Sequence, residues 1–142
     1  MMSNCLVLLD FDGVIGDTII ETWEISRSAF FDTDEIVISD DMKSLFCELR
    51  GLVGPPEHFK SLHHILAAVQ HSGIVPDYEK ACALFADTIA QISSADFETY
   101  RRVFFEKRIA FQKNKEDWLA LNPMTEYARF LVGKSLDNYC VI

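Results

Sequence analysis

The sequence predicts an α/β protein, and three observations predict it. Cys5 to Leu9 is a short unbroken apolar run that stops at Asp10-Phe11-Asp12-Gly13. From Ile19 to Phe111, apolar residues recur at helical spacing. The chain then closes on a second apolar run, Tyr139-Cys140-Val141-Ile142. Strand, helical insert, helix and incipient strand is an order that belongs to the α/β class.

Each element has its own reason. An apolar run without alternation is the pattern of a strand buried on both faces, as in a parallel sheet. Asp17-Thr18 supplies polar residues for a helix start, and Ile19, Trp23, Ser26 and Phe30 form the stripe behind it. Asp40 to Arg50 predicts a further helix on a weaker pattern, and Gly51 to Pro56, with Gly54-Pro55-Pro56, predicts a loop. Phe59, Leu62, Leu66 and Val69 make a second stripe that stops near Gly73. Tyr78, Cys82, Phe85, Ile89 and Ile92 make a third; Phe97, Tyr100, Phe104, Arg108 and Phe111 make a fourth, rich in aromatics. After Trp118 the texture changes: Asn122 is read as a cap, Pro123 as the first helical position and Gly133 as the close of a short helix. The chain has no internal repeat and no low-complexity tract.

Composition narrows the function classes. The 142 residues suit one ordinary domain, or one domain and part of another. A hydrophobic share of 49% against 25% charged is a globular balance, and eleven Phe with two Trp supply a core. A formal charge of -9 and a pI near 4.8 argue against nucleic acid as a partner. A small phosphorylated ligand stays compatible, because a bound cation reverses the local field. Cys5, Cys47, Cys82 and Cys140 are spread too widely for zinc-type pairing. They read as reduced, mostly buried thiols of a cytoplasmic protein. No basic leader precedes Leu6-Val7-Leu8-Leu9, and no stretch nears the roughly 18 apolar residues of a membrane span, so no membrane partner is expected.

The chemistry is carried by Asp10 and Asp12. Two residues apart at the end of an extended segment, they project toward one side, and open parallel sheets bind ligands beyond the carboxyl ends of their strands. Gly13 lets the backbone turn and brings amide N–H groups toward an anion. Two carboxylates plus water and substrate phosphate suit Mg²⁺. One carboxylate can attack phosphorus to give an aspartyl-phosphate, and the other can protonate the leaving oxygen and then activate water. A bare Asp-x-Asp more often just opens a turn; an apolar strand before it and Asp-Thr opening a helix after it reverse that balance.

Leu6-Val7-Leu8-Leu9-Asp10-Phe11-Asp12-Gly13-Val14-Ile15-Gly16-Asp17-Thr18 resembles the first motif of the haloacid dehalogenase-like (HAD) hydrolase superfamily. The resemblance implies a Rossmann-like core made here of residues 1–17 and 119–142, of which the chain holds the first strand and the start of the second. Residues 18–118 would form a mostly α-helical cap. It implies Asp10 as nucleophile, Asp12 as general acid/base, and Mg²⁺ held by the Asp10 carboxylate and the Asp12 backbone carbonyl. An acid at the second position separates the phosphatases of the superfamily from its dehalogenases. The implied activity is therefore hydrolysis of a small phosphorylated metabolite. The superfamily's later motifs are a phosphate-binding Ser or Thr, a Lys or Arg, and an acidic pair; none of them falls within this sequence. Tyr139 to Ile142 is similar to the second strand, with the Ser or Thr expected just past Ile142. The reading is an N-terminal portion, nearly inactive alone, completed by a further C-terminal segment or by a homodimer. The alternative is a non-catalytic helical binding module derived from such a protein.

Other residues carry weaker signals. Arg50, before Gly51-Leu52-Val53-Gly54, suits an anionic substrate group, although an Arg at a helix C-terminus is ordinarily a dipole partner on the surface. His58, His63, His64 and His71 lack the companions of a metal-ligand spacing and read as a solvated face. The basic run from Arg101 to Lys115 is interleaved with Glu106 and reads as an exposed face with charge pairs. Cys47 has no His partner placed near it, and burial is its expected role.

Overall fold

A computed structural model describes residues 16–32 and 40–133. It overturns the α/β expectation: among the described residues the architecture is all-α, with no strand. The only extended pairing among them is an isolated antiparallel bridge between Gly16 and Met124. Both runs that suggested strands, Cys5 to Leu9 and Tyr139 to Ile142, lie outside the described residues. The physical reason for the error is that such short apolar runs carry no period of their own. The long helical stripes do carry one, and they satisfy their burial against each other without a sheet.

The helices are α1 (Ile19–Phe31), α2 (Asp40–Leu49), α3 (Phe59–Ser72), α4 (Tyr78–Gln91), α5 (Ser94–Gln112), α6 (Lys115–Leu121) and α7 (Glu126–Gly133). Two 3₁₀ turns, Arg50–Leu52 and Pro56–His58, flank Val53-Gly54-Pro55 in the span expected to be a loop. Pro56 opens the second turn, where its missing N–H costs nothing.

Side-chain caps explain several boundaries. Asp77 accepts from the Lys80 amide at 2.8 Å and starts α4. Ser93 accepts from the Asp96 amide at 3.1 Å and starts α5. Asn114 starts α6 through the Asp117 amide. Gly73 ends α3 in the left-handed region at φ 69°, its amide returning to the Val69 carbonyl at 2.8 Å. The last helix differs from the expected form. Thr125 Oγ1 accepts from the Ala128 amide and α7 begins at Glu126. Asn122 instead closes α6, donating to the Trp118 carbonyl at 2.8 Å, so Pro123 lies between helices rather than inside one.

The described residues divide into two compact units, one of residues 16–21 and 114–133, the other Thr22–Lys113. The second contains a continuous core. Phe46 and Leu62 are fully buried, with Trp23, Leu45, Phe59, Leu66, Phe85, Tyr100 and Phe104 around them. Aromatic rings link its helices. Trp23 meets Phe46 edge-on at 4.9 Å, Phe46 stacks on Phe59 at 5.8 Å, and Phe59 stacks on Phe104 at 6.0 Å. Such pairs add about 0.5–1.5 kcal/mol each beyond the area they bury. α3 packs against α2 and α4, and α5 against the Pro56–His58 turn.

Candidate functional site

Asp10, Asp12 and Gly13 lie outside the described residues, which begin at Gly16. Gly16 is buried and bridges to Met124. The Asp17 amide donates to the Pro123 carbonyl at 2.8 Å. The Asp17 carboxylate accepts from the Ile19 amide at 3.2 Å and so sets the first turn of α1. Thr18 and Glu21 are buried behind it. Asp17, Pro123, Thr125, Glu126 and Arg129 line a shallow cleft of about 400 Å³ in this unit. The exit from the acidic motif is thus held to the chain's return segment by backbone bonds. A guanidinium and two carboxylates stand around it.

Arg50 sits in the 3₁₀ turn after α2, half-buried, with its guanidinium 5.8 Å from the centroid of the Phe59 ring. At that distance the cation is attracted by the ring face.

The histidines do not share one environment. His64 and His71 are exposed on α3, as a solvated face requires, but His63, next to His64, is 1% exposed and belongs to the core. Its ring stacks on Phe46 and Phe30 at 5.7 and 5.4 Å and lies 5.7 Å from Trp23. The solvated reading fails there because helical position outweighs polarity: residues 59, 62, 63 and 66 share one face of α3. Cys47 departs in the opposite direction. α2 buries Met42, Leu45, Phe46 and Leu49, so Cys47 falls on the outer face as an exposed free thiol. No group of three His, Cys, Asp or Glu side chains among the described residues could hold a metal ion.

The core also holds a buried polar cluster that no sequence motif marks. Ser26 Oγ donates to the Trp23 carbonyl at 3.2 Å and lies 2.8 Å from His63 Nε2, which places a ring N–H toward the hydroxyl oxygen. The Tyr100 hydroxyl donates to the Ser26 carbonyl at 2.9 Å. One serine on α1 is thereby tied to α3 and α5. Burial, with Arg27 and then His64 beside it, pushes the His63 pKa down to about 3. Burial also pushes the Tyr100 hydroxyl above its ordinary value of 10.0. Serine and histidine stand at a nucleophile–base distance. Yet Ser26 is 0% exposed, and no substrate carbonyl or phosphorus reaches it. The cluster is a structural tie. Only the helical register of Ser26 and His63 carried a signal for it in the sequence, since their partners are far apart along the chain.

No helix among the described residues is long and apolar enough to cross a membrane. No protein-family model, curated protein or solved structure matches the chain.

Proposed function

We propose that the chain supplies the nucleophile and the general acid/base of a HAD-type, Mg²⁺-dependent phosphatase acting on a small phosphorylated metabolite. Asp10 is the nucleophile and Asp12 the general acid/base. The observation that carries this reading is the apolar run ending in Asp10-Phe11-Asp12-Gly13-Val14-Ile15-Gly16-Asp17-Thr18. The geometry just downstream is compatible with it. The chain leaves this motif at Gly16 and Asp17, runs through the helical unit, and returns to pair with the same two residues at Pro123 and Met124.

The donor chemistry fits the ion: Asp10 and Asp12 offer hard oxygens, the ligands Mg²⁺ prefers. The Asp10 carboxylate and the Asp12 backbone carbonyl would hold it, and when bound it would neutralise phosphate charge during attack. The chain's own part is to place one carboxylate oxygen in line with phosphorus and a second carboxyl at the leaving oxygen. The exposed thiol of Cys47 and the thiol of Cys82, both unpaired in disulfides, suit a reducing compartment, and we place the protein in the cytoplasm on that ground.

The test is trapping on the chain. Incubated with a phosphomonoester and Mg²⁺, the protein should acquire a phosphoryl group on Asp10, located by peptide mass spectrometry. Asp10→Asn should abolish it, and Asp12→Asn should slow its formation by about a hundredfold, the lower range for general acid catalysis. Phosphoryl transfer unchanged in Asp10→Asn would refute the assignment.

A further inference from the structure

The groove between α3 and α4 has ligand chemistry of its own. Its volume is about 300 Å³, at the small end of ligand pockets. Ile65, Val69, Ile74 and Leu84 give it aliphatic walls. Its mouth exists because Gly73 turns the chain out of α3 and Asp77 restarts it as α4, which leaves Ile74 68% exposed between them. A solvent-facing isoleucine at the lip of an apolar cleft is surface that a ligand would cover.

The polar groups are sharply limited. The Ser72 hydroxyl accepts from the Ile74 amide at 3.2 Å, and the Thr88 hydroxyl donates to the Leu84 carbonyl at 2.6 Å. Both are engaged by local backbone. His64 lies edge-on to Phe30 at 4.9 Å. Lys80 remains: the residue is exposed and lies on the lining, and the ion pairs of Arg27, Lys60, Arg102 and Lys107 among the described residues do not involve it. The lining therefore offers one cation against aliphatic walls, in a chain whose overall charge is -9.

We propose that this groove binds a small amphiphilic monoanion, an aliphatic or single-ring body bearing one carboxylate, with the body between α3 and α4 and the carboxylate at Lys80. A single lysine complements one negative charge; a phosphate dianion favours the forked donors of arginine. The site is independent of the phosphoryl-transfer reading and uses none of its residues.

Decanoate, decanol and decylamine separate the elements of the claim. Titrated into the full chain and followed by calorimetry and ¹⁵N NMR, decanoate should bind, with shifts centred on Ile65, Val69 and Leu84. Decanol should bind about tenfold more weakly, the scale of one lost charge-assisted bond, and decylamine weaker still. Lys80→Glu should reduce decanoate affinity to that of decanol or below. That substitution puts Glu at the third position of a helix capped by Asp77, a combination that supports the helix, so unfolding would not explain the loss. Leu84→Asp, at a position already 40% exposed, should weaken all three ligands. Equal binding of decanoate and decanol, shifts centred away from these residues, or no binding of decanoate would each overturn the proposal.

Discussion

His63 holds its place in the core by staying neutral, and that sets how the fold responds to acid. Its folded pKa of about 3 lies below its ordinary 6.5. Between those values the unfolded chain takes up a proton that the folded chain refuses. Stability is therefore complete above pH 6.5 and falls as the pH drops toward 3, by at most about 1.4 kcal/mol per pH unit. Urea unfolding at pH 7.5 and pH 5.0 should show a loss of about 2 kcal/mol, and His63→Leu should remove most of that difference. Tyr100 acts at the other end. Its folded pKa is raised, so its contribution is present below pH 10.0 and is lost as the pH rises beyond it. Equal unfolding midpoints at pH 7.5 and 5.0 in the parent chain would contradict the histidine argument.

At the scale of the elements, the most legible features were those in which period and punctuation agreed. Phe59, Leu62, Leu66 and Val69 give a stripe, Gly73 ends it, and α3 buries those four residues. The stripe beginning at Tyr78 is less legible. Tyr78 is 61% exposed, whereas Ala81 is completely buried. Alanine is too small to mark a face by hydropathy, yet it lets helices approach closely. The break between α5 and α6 was not visible as a change of pattern; it rests on the Asn114 cap. The carboxylate motif was conspicuous in sequence because its spacing is unusual, whereas the Ser26–His63–Tyr100 tie was hidden because two of its bonds span 37 and 74 residues. Two substitutions test the punctuation. Gly73→Ala has open space for its Cβ but must hold φ at +69°, and should cost about 1 kcal/mol in denaturant unfolding. Asp77→Ala removes the cap on the Lys80 amide and should also cost about 1 kcal/mol. A neutral result for either would mean that the helix end is set by packing alone.

For the whole molecule, the division of the core makes a separate claim. Every member of the main hydrophobic cluster, from Trp23 to Phe104, lies within Thr22–Lys113. So do the Ser26–His63 and Tyr100–Ser26 bonds and all the ring contacts between Trp23, Phe46, Phe59 and Phe104. A segment that holds its own core and its own buried polar bonds should fold without the rest of the chain. Residues 22–113 expressed alone are expected to be helical by circular dichroism and to unfold in one cooperative step. Trp23 should report the same midpoint by fluorescence, since it is 4% exposed against Phe46. Phe46→Ala in that segment should then cost about 3–5 kcal/mol, the range for emptying a fully buried aromatic site, enough to unfold a domain of ordinary stability. A segment with helical circular dichroism but no cooperative transition would show that α1 to α5 depend on the flanking residues for their packing, and the independence of the helical unit would fall with it.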